Sequence, residues 1–308
     1  MCYYMERELN RILKDMTDST AKSYKSSYMR LRKLMELKDK RKPISKMSLA
    51  DILKAIETIE NPSTRHSVFV ISKKIFDYEK NKEAFDAVDK KIREDKRSLQ
   101  VSKNGVLDKT LPTFKELKAA IKNEMNPKKY IVSFIMFKLT CRNMDIALAD
   151  VHAKPKDSYD ENRNHIIIDG AKVIFIRNRY KTAKKYGVKK NVINVKKFTD
   201  MVKLFLGDSE KKALFSQKNG GEITGSSIAS YLKKFIVLGL NEGQIIKIVL
   251  KQADETGSYN MLRTIANNRG TSISVLLSEY DVSNISQPNT EITNDQTQTV
   301  TQEVEVDV

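Results

Sequence analysis

A chain of 308 residues, 40% of them hydrophobic, has apolar material for two modest cores, so the protein is read as globular with about two domains. Lys and Arg total 56 against 39 acids, yet residues 281–308 hold six acids and no base; residues 1–280 therefore carry +23, which favours a polyanionic partner. Two cysteines exclude a disulfide framework or a cysteine-rich metal site, and the longest apolar stretch, 130–141, falls short of the ~20 residues that span a bilayer.

Duplex nucleic acid offers the densest regular array of phosphates for such a charge, although RNA or an anionic membrane surface would satisfy charge alone. With no secretory signal at the start, a soluble protein of a reducing, intracellular compartment is expected.

Residues 5–37 read as helix in two stripes, Leu9, Ile12, Leu13 and Met16, then Tyr24, Tyr28, Leu31 and Leu34, with Asp18 or Ser19 as the cap between them. Lys22, Lys25, Arg30, Arg32 and Lys33 surround the second stripe. A third helix follows Ser48 and stops at Asn61-Pro62, and Ser63 is expected to cap a fourth carrying Val68, Val70, Ile71, Ile75 and Phe76. These helices predict a small all-helical domain over residues 1–95. Residues 96–112 lack apolar periodicity and contain Asn104-Gly105 and Pro112, so they read as a linker.

The second domain, 113–280, opens with helices over 113–122 and 127–148. Strands 165–168 and 172–177 joined at Asp169-Gly170 form a hairpin, and 188–195 adds a third strand after a basic turn. Helices return over 198–206, 226–238, 243–251, 259–268 and 272–279. The fold class is mainly α (α+β), with a small antiparallel sheet in the second domain. Residues 281–308, rich in Thr, Gln, Asn and Asp, read as a disordered acidic tail or an arm that docks on a partner.

No phosphate-binding loop or dinucleotide fingerprint is present, and His66, His152 and His165 lack metal-ligand spacing. His152 and His165 read as ordinary surface histidines. No metal or cofactor is expected.

Four separated features remain. Leu139-Thr140-Cys141-Arg142-Asn143-Met144-Asp145-Ile146 ends an apolar helix on an arginine. Arg179-Tyr180-Lys181-Thr182-Ala183-Lys184-Lys185-Tyr186-Gly187 places lysines in the turn between two strands. Gln244-Ile245-Ile246-Lys247 lies about a hundred residues beyond Arg142, and Arg269-Gly270-Thr271-Ser272 precedes Tyr280, which is nine residues from Thr271.

In these features, and over most of residues 5–280, the sequence resembles the tyrosine recombinase (phage integrase) family, especially the branch of large DNA viruses and their mobile elements. The resemblance implies an N-terminal core-binding-like DNA-binding domain and a C-terminal catalytic domain that clamp double-stranded DNA and act as a homo-oligomer on it without a membrane. It further implies Arg142 and Lys181 as phosphate-binding and proton-donating groups and Tyr280 as nucleophile of DNA integration and recombination. Lys22, Lys25, Arg30, Arg179, Lys184 and Lys185 are the implied DNA contacts.

Three of the six matched positions depart from the family pattern. Gln244 and Lys247 stand where a His-x-x-Arg motif is expected, and Thr271 replaces the histidine of Gly-His-Ser. Lys247 supplies charge without the guanidinium fork, and neither Gln244 nor Thr271 does what an imidazole does. A catalytically impaired DNA-binding relative and a basic nucleic-acid-packaging protein are the competing readings. Each residue also has a plain structural account: Arg142 paired with Asp145, Lys181 in a solvated turn, Lys247 on a helix face, Tyr280 in a core.

Overall fold

The computed structural model describes residues 3–14, 16–36, 42–107, 111–216, 221, 223, 227–280 and 301–304; within these, the side chains of 3–5, 19, 96–107, 227, 278–280 and 301–304 lie outside the description. The chain divides into two compact units, Met1–Thr110 and Leu111–Val308.

The first unit contains helices α1 (Tyr3–Leu13), α2 (Asp18–Leu34), α3 (Leu49–Glu57), α4 (Pro62–Tyr78) and α5 (Lys82–Leu107). Their inward stripes, including Leu9, Tyr28, Leu31, Ile52, Ile56, Val68, Ile71 and Val88, make one core. Local chemistry sets the boundaries one or two residues away from the sequence reading. Thr17, rather than Asp18 or Ser19, caps α2 by accepting from Thr20 N at 3.4 Å. Asn61 caps α4 (Thr64 N, 3.0 Å), because Pro62 at the first helical position has no N–H to satisfy, and Ser63 already lies inside the helix.

The division between the two units falls within the 96–112 segment read as a linker, but 96–107 is helical. Helix α5 starts after Asn81, whose Oδ1 accepts from Ala84 N at 3.1 Å, and its backbone remains helical to Leu107. Over 96–103 the sequence is made largely of good helix formers, so the absence of an apolar stripe there does not interrupt the helix.

Glu8 is the polar anchor of this core. It is buried, accepts from the hydroxyl of buried Tyr28, and takes the backbone N–H groups of Ile44 (3.2 Å) and Ser45 (3.0 Å). Burial and the Glu8 carboxylate together push the Tyr28 hydroxyl well above its ordinary range. Glu8→Ala should cost about 2 kcal/mol, since it strands two buried donors and a half-buried one. Hydrogen exchange of the full chain should then show lost protection at the Ile44 and Ser45 amides; unchanged protection would remove Glu8 from this role.

The second unit is built around α7 (Pro127–Leu139), which follows α6 (Phe114–Asn123) and is buried on nearly every side. A helix apolar all round must be wrapped by other elements. Here α10 (Lys196–Leu206) packs on it through Phe198, whose ring centroid lies 4.7 Å from that of Phe134. The helix expected over 127–148 breaks at Thr140, a β-branched residue held at φ 47°, and resumes as the short α8 (Asn143–Ala147).

The sheet is larger than expected and mixed. Strands β1 (Ala149–His152), β2 (Asn164–Asp169), β3 (Lys172–Arg177), β4 (Lys189–Ile193), β5 (Lys211–Ala213) and β6 (Thr301–Val304) take the order β5-β1-β2-β3-β4-β6. The β1–β2 and β4–β6 pairs are parallel, and the others are antiparallel. Asp169 pairs with Lys172, so the hairpin turn is Gly170-Ala171, one residue later than read, with Gly170 at φ 64°. Of the tail, read as disordered or as a docking arm, residues 301–304 form β6 beside β4; residues 281–300 and 305–308 lie outside the described residues.

The remaining elements are α9 (Ala183–Tyr186), α11 (Ser227–Lys233), α12 (Glu242–Glu255), α13 (Tyr259–Arg269) and α14 (Ile273–Tyr280). The protein is thus mainly helical with one small mixed sheet. Among the described residues, no helix is long and apolar enough to cross a membrane.

Candidate functional site

Three of the four sequence features meet at the C-terminal end of α13, and Glu242, two residues before the fourth, reaches the same place. Gly270 adopts the left-handed conformation (φ 61°) and Thr271 N returns to Ala266 O at 3.0 Å, closing the helix. Four successive carbonyls at this end accept from side chains. Asn267 O takes Lys189 Nζ, Asn268 O takes Arg177 Nη1 (2.7 Å), Arg269 O takes Arg142 Nη1, and Gly270 O takes Thr182 Oγ1 (2.8 Å). Three cationic groups thus sit where a helix presents its partial negative charge.

The elements that deliver these groups are themselves tied together. Arg142 lies at the start of α8 with its backbone N–H 3.3 Å from Asp145 Oδ2. Asn143 N donates to Glu242 Oε2 (2.8 Å), and Arg269 bridges Glu242 Oε1 (2.9 Å) and Thr140 O (3.0 Å), so the start of α12 joins the same place. Asn164 Nδ2 donates to Asp145 O (2.7 Å) and Arg179 O (2.9 Å), which ties the 179–187 turn to α8.

Beneath the site lies a fully buried ion pair, Arg177 Nη1 to Asp145 Oδ2 at 3.4 Å, with Arg177 Nη2 also donating to Asn191 Oδ1 at 3.0 Å. Burial raises the Asp145 carboxyl, opposed by the Arg177 guanidinium. The partner of Asp145 is therefore Arg177, where the sequence suggests a pairing with Arg142. Burial pushes the neighbouring Cys141 thiol up to about 12, so it remains a protonated, inert packing group.

Lys189 is the cation most altered by its setting. Burial and the nearby Arg177 charge bring its amine down to about 8. In the unfolded chain the proton stays on to the ordinary lysine range, so the folded state releases it first and gains stability as pH rises from about 8 towards 10.5, by at most about 1.4 kcal/mol per pH unit. Lys189→Met should flatten the pH dependence of unfolding midpoints over that window; an unchanged slope would show the amine to be normally hydrated.

The expected site residues are placed unevenly. Arg142 is half-buried at the centre, while Lys181, Arg179, Lys184 and Lys185 are exposed on the adjacent turn and α9. Thr271 is half-buried just past the helix end. Gln244 Oε1 is engaged in the cap of α12, accepting from Asn241 N at 2.9 Å, and Lys247 is half-buried one turn further on. Tyr280 ends α14, and its side chain lies outside the described residues. In the first unit Lys22, Lys25 and Arg30 are exposed on α2, whereas Arg32 is buried and donates to Lys42 O at 2.8 Å.

Sequence reasoning missed Arg177, Lys189, Glu242 and Arg269. Strand parity could have found the first, since Val173, Phe175 and Arg177 alternate inward along β3. His152 and His165, read from sequence as surface residues, are both buried, as is Asp150, because β1 and most of β2 are covered on both faces; Asp150 and His152 share one face of β1, and His165 pairs with Asp150 across the parallel ladder. The rings meet at Nε2···Nδ1 3.1 Å and lie against Tyr159, His152 edge-on and His165 tilted, at 5.2 Å and 4.9 Å between centroids. Burial lowers both imidazoles, His152 to about 4, so both are neutral near pH 7.

No protein-family model matches the chain, and no curated protein matches it. Among solved structures, the crystal structure of XerA recombinase aligns over 90% of this chain and 93% of its own, at 12% identity and a TM-score of 0.35. A likeness of that size assigns neither an activity nor a residue.

Proposed function

We propose that the protein binds double-stranded DNA and cuts and rejoins it through Tyr280, in the manner of a tyrosine recombinase. The observation that carries this reading is the convergence of segments 142–145 and 179–187 and of Glu242 on 267–271, all remote in sequence, at one end of α13. In this reading the tyrosine oxygen attacks a phosphodiester, and the charge that develops on the nonbridging oxygens is held by the unengaged donors of the Arg142 guanidinium. Lys181 or Lys189 protonates the leaving 5′ oxygen, and Lys189 has the proton affinity suited to that transfer near neutral pH. Lys22, Lys25 and Arg30 in one unit and Arg179, Lys184 and Lys185 in the other bind the backbone phosphates.

A second reading, DNA binding without strand cleavage, is favoured by one feature. The Gln244 carbonyl is engaged in a helix cap, and Lys247 offers no fork to a phosphate.

The test begins by selecting duplexes from a random-sequence pool on the full chain, followed by a nicked suicide version of the enriched sequence. Wild type should become covalently linked to DNA, and Tyr280→Phe should bind with similar affinity without linkage. Arg142→Ala should reduce capture by roughly 10²–10³-fold, as loss of a transition-state donor does. Lys247→Arg should preserve or raise it. Capture by Tyr280→Phe would place the nucleophile elsewhere, tight binding with no capture would establish the second reading, and no enrichment of any duplex would overturn both.

A further inference from the structure

We propose that Asp150, His152 and His165 bind one transition-metal ion of the zinc type, at the β5 edge of the sheet and independently of any action on DNA. The three side chains are 2%, 3% and 1% exposed, and their ligand atoms lie within 4.8 Å of one another. Two ligands held at 2.0–2.1 Å in tetrahedral geometry stand roughly 3.3 Å apart, close to the 3.1 Å between His152 Nε2 and His165 Nδ1.

The surroundings are arranged as an outer shell would be. His165 Nε2–H donates to Asp160 O at 2.8 Å, which leaves the Nδ1 lone pair facing His152. Arg163 Nη2 holds Asp150 Oδ1 at 2.7 Å and so orients the other oxygen. Without an ion, His152 Nε2–H must donate to His165 Nδ1, and the buried Nδ1 of His152 then has no hydrogen-bond partner. An ion between the rings would shift the His152 proton to Nδ1 and replace that single shared bond with two metal bonds.

Lys211 occupies the cation's place at the carboxylate. Its Nζ lies 2.9 Å from Asp150 Oδ2, on the neighbouring edge strand β5, with the side chain 49% exposed. A lysine so exposed can swing into water when a divalent ion enters, and it provides the route to the buried site. Two imidazoles with one carboxylate select zinc-like ions over magnesium or calcium, and three protein ligands leave a position for water.

The experiment titrates the full chain, stripped with chelator, with Zn²⁺ and separately with Mg²⁺, reading binding by calorimetry and thermal midpoint. One Zn²⁺ per chain with a raised midpoint is expected, and no response to Mg²⁺. Lys211→Ala, an edge substitution with little bearing on folding, should tighten Zn²⁺ binding about tenfold by removing the competing cation. The His152→Ala/His165→Ala double variant should lose it. Co²⁺ in the wild type should give the visible absorption of a low-coordinate site with nitrogen and oxygen ligands, which keeps the test valid if the double variant fails to fold. Absence of one-to-one Zn²⁺ binding by wild type, equal affinity in Lys211→Ala, or undiminished binding in a folded double variant would each overturn the assignment.

Discussion

Replacing Arg177 by Met should lower the stability of the protein by about 3–5 kcal/mol, the largest effect expected of any single substitution. Arg177 and Asp145 are both 0% exposed, so loss of the guanidinium leaves a carboxylate with no solvent to turn to. The same change removes the donors to Asn268 O and Asn191 Oδ1, deep in the sheet and at the end of α13. Removing both charges is a different matter. Arg177→Met with Asp145→Leu should recover much of the loss, because an apolar pair of similar volume has no desolvation penalty to offset. Denaturant midpoints of the two single variants and the double variant measure the coupling. Additive losses would mean that the ion pair is not the source of the effect.

Gly270→Ala should be the second most damaging change, at roughly 2–4 kcal/mol, and should also loosen the candidate site. An added Cβ would lie 2.4 Å from Thr182 Oγ1, 2.9 Å from Tyr180 Cε2 and 3.4 Å from Tyr186 Cδ2. The residue also holds φ 61°, a left-handed backbone that costs an L side chain roughly 1–2 kcal/mol before any clash. Tyr180 cannot easily yield, being 8% exposed and tied by its hydroxyl to Gly187 O at 2.7 Å. The 179–187 turn must therefore move away from α13, carrying Lys181, Lys184 and Lys185 with it. Gly207 and Gly257 supply the control: both have positive φ, yet nothing lies within 4 Å of the added carbon. Alanine there should cost only about 1 kcal/mol. If Gly270→Ala unfolds no more readily than Gly207→Ala, the contact between turn and helix end is not tight.

The positive charge at this helix end has a structural role of its own. Arg142 and Arg177 each satisfy a carbonyl at the end of the helix, and Lys189 adds to Asn267 O, which also accepts from Gly270 N. Their positive charge would be wanted there even in a protein that never touched a phosphate. Of the two arginines, Arg177 is fully buried and Arg142 only half-buried, so the chemistry proposed for this site rests on Arg142 and the lysines beside it.

Local signals in the sequence determined that α4, α6 and the 164–177 hairpin exist, though not their exact bounds, because caps, turns and amphipathic stripes depend on residues within a few positions of one another. Asn61-Pro62, read as a stop, also starts α4, Thr113 and Glu116 close a capping box on α6, and the hairpin turn falls one residue later than read. Tertiary structure decided what needs a partner from far along the chain. Strands β1, β5 and β6 are three or four residues long and become strands only by pairing. The burial of His152 and His165 follows from the covering of both faces of β1 and β2, which no short window of sequence contains. The four carbonyls of α13 find donors 78 to 127 residues away, as the Lys189 and Arg142 bonds do, so their pairing is written in the fold and cannot be read from spacing.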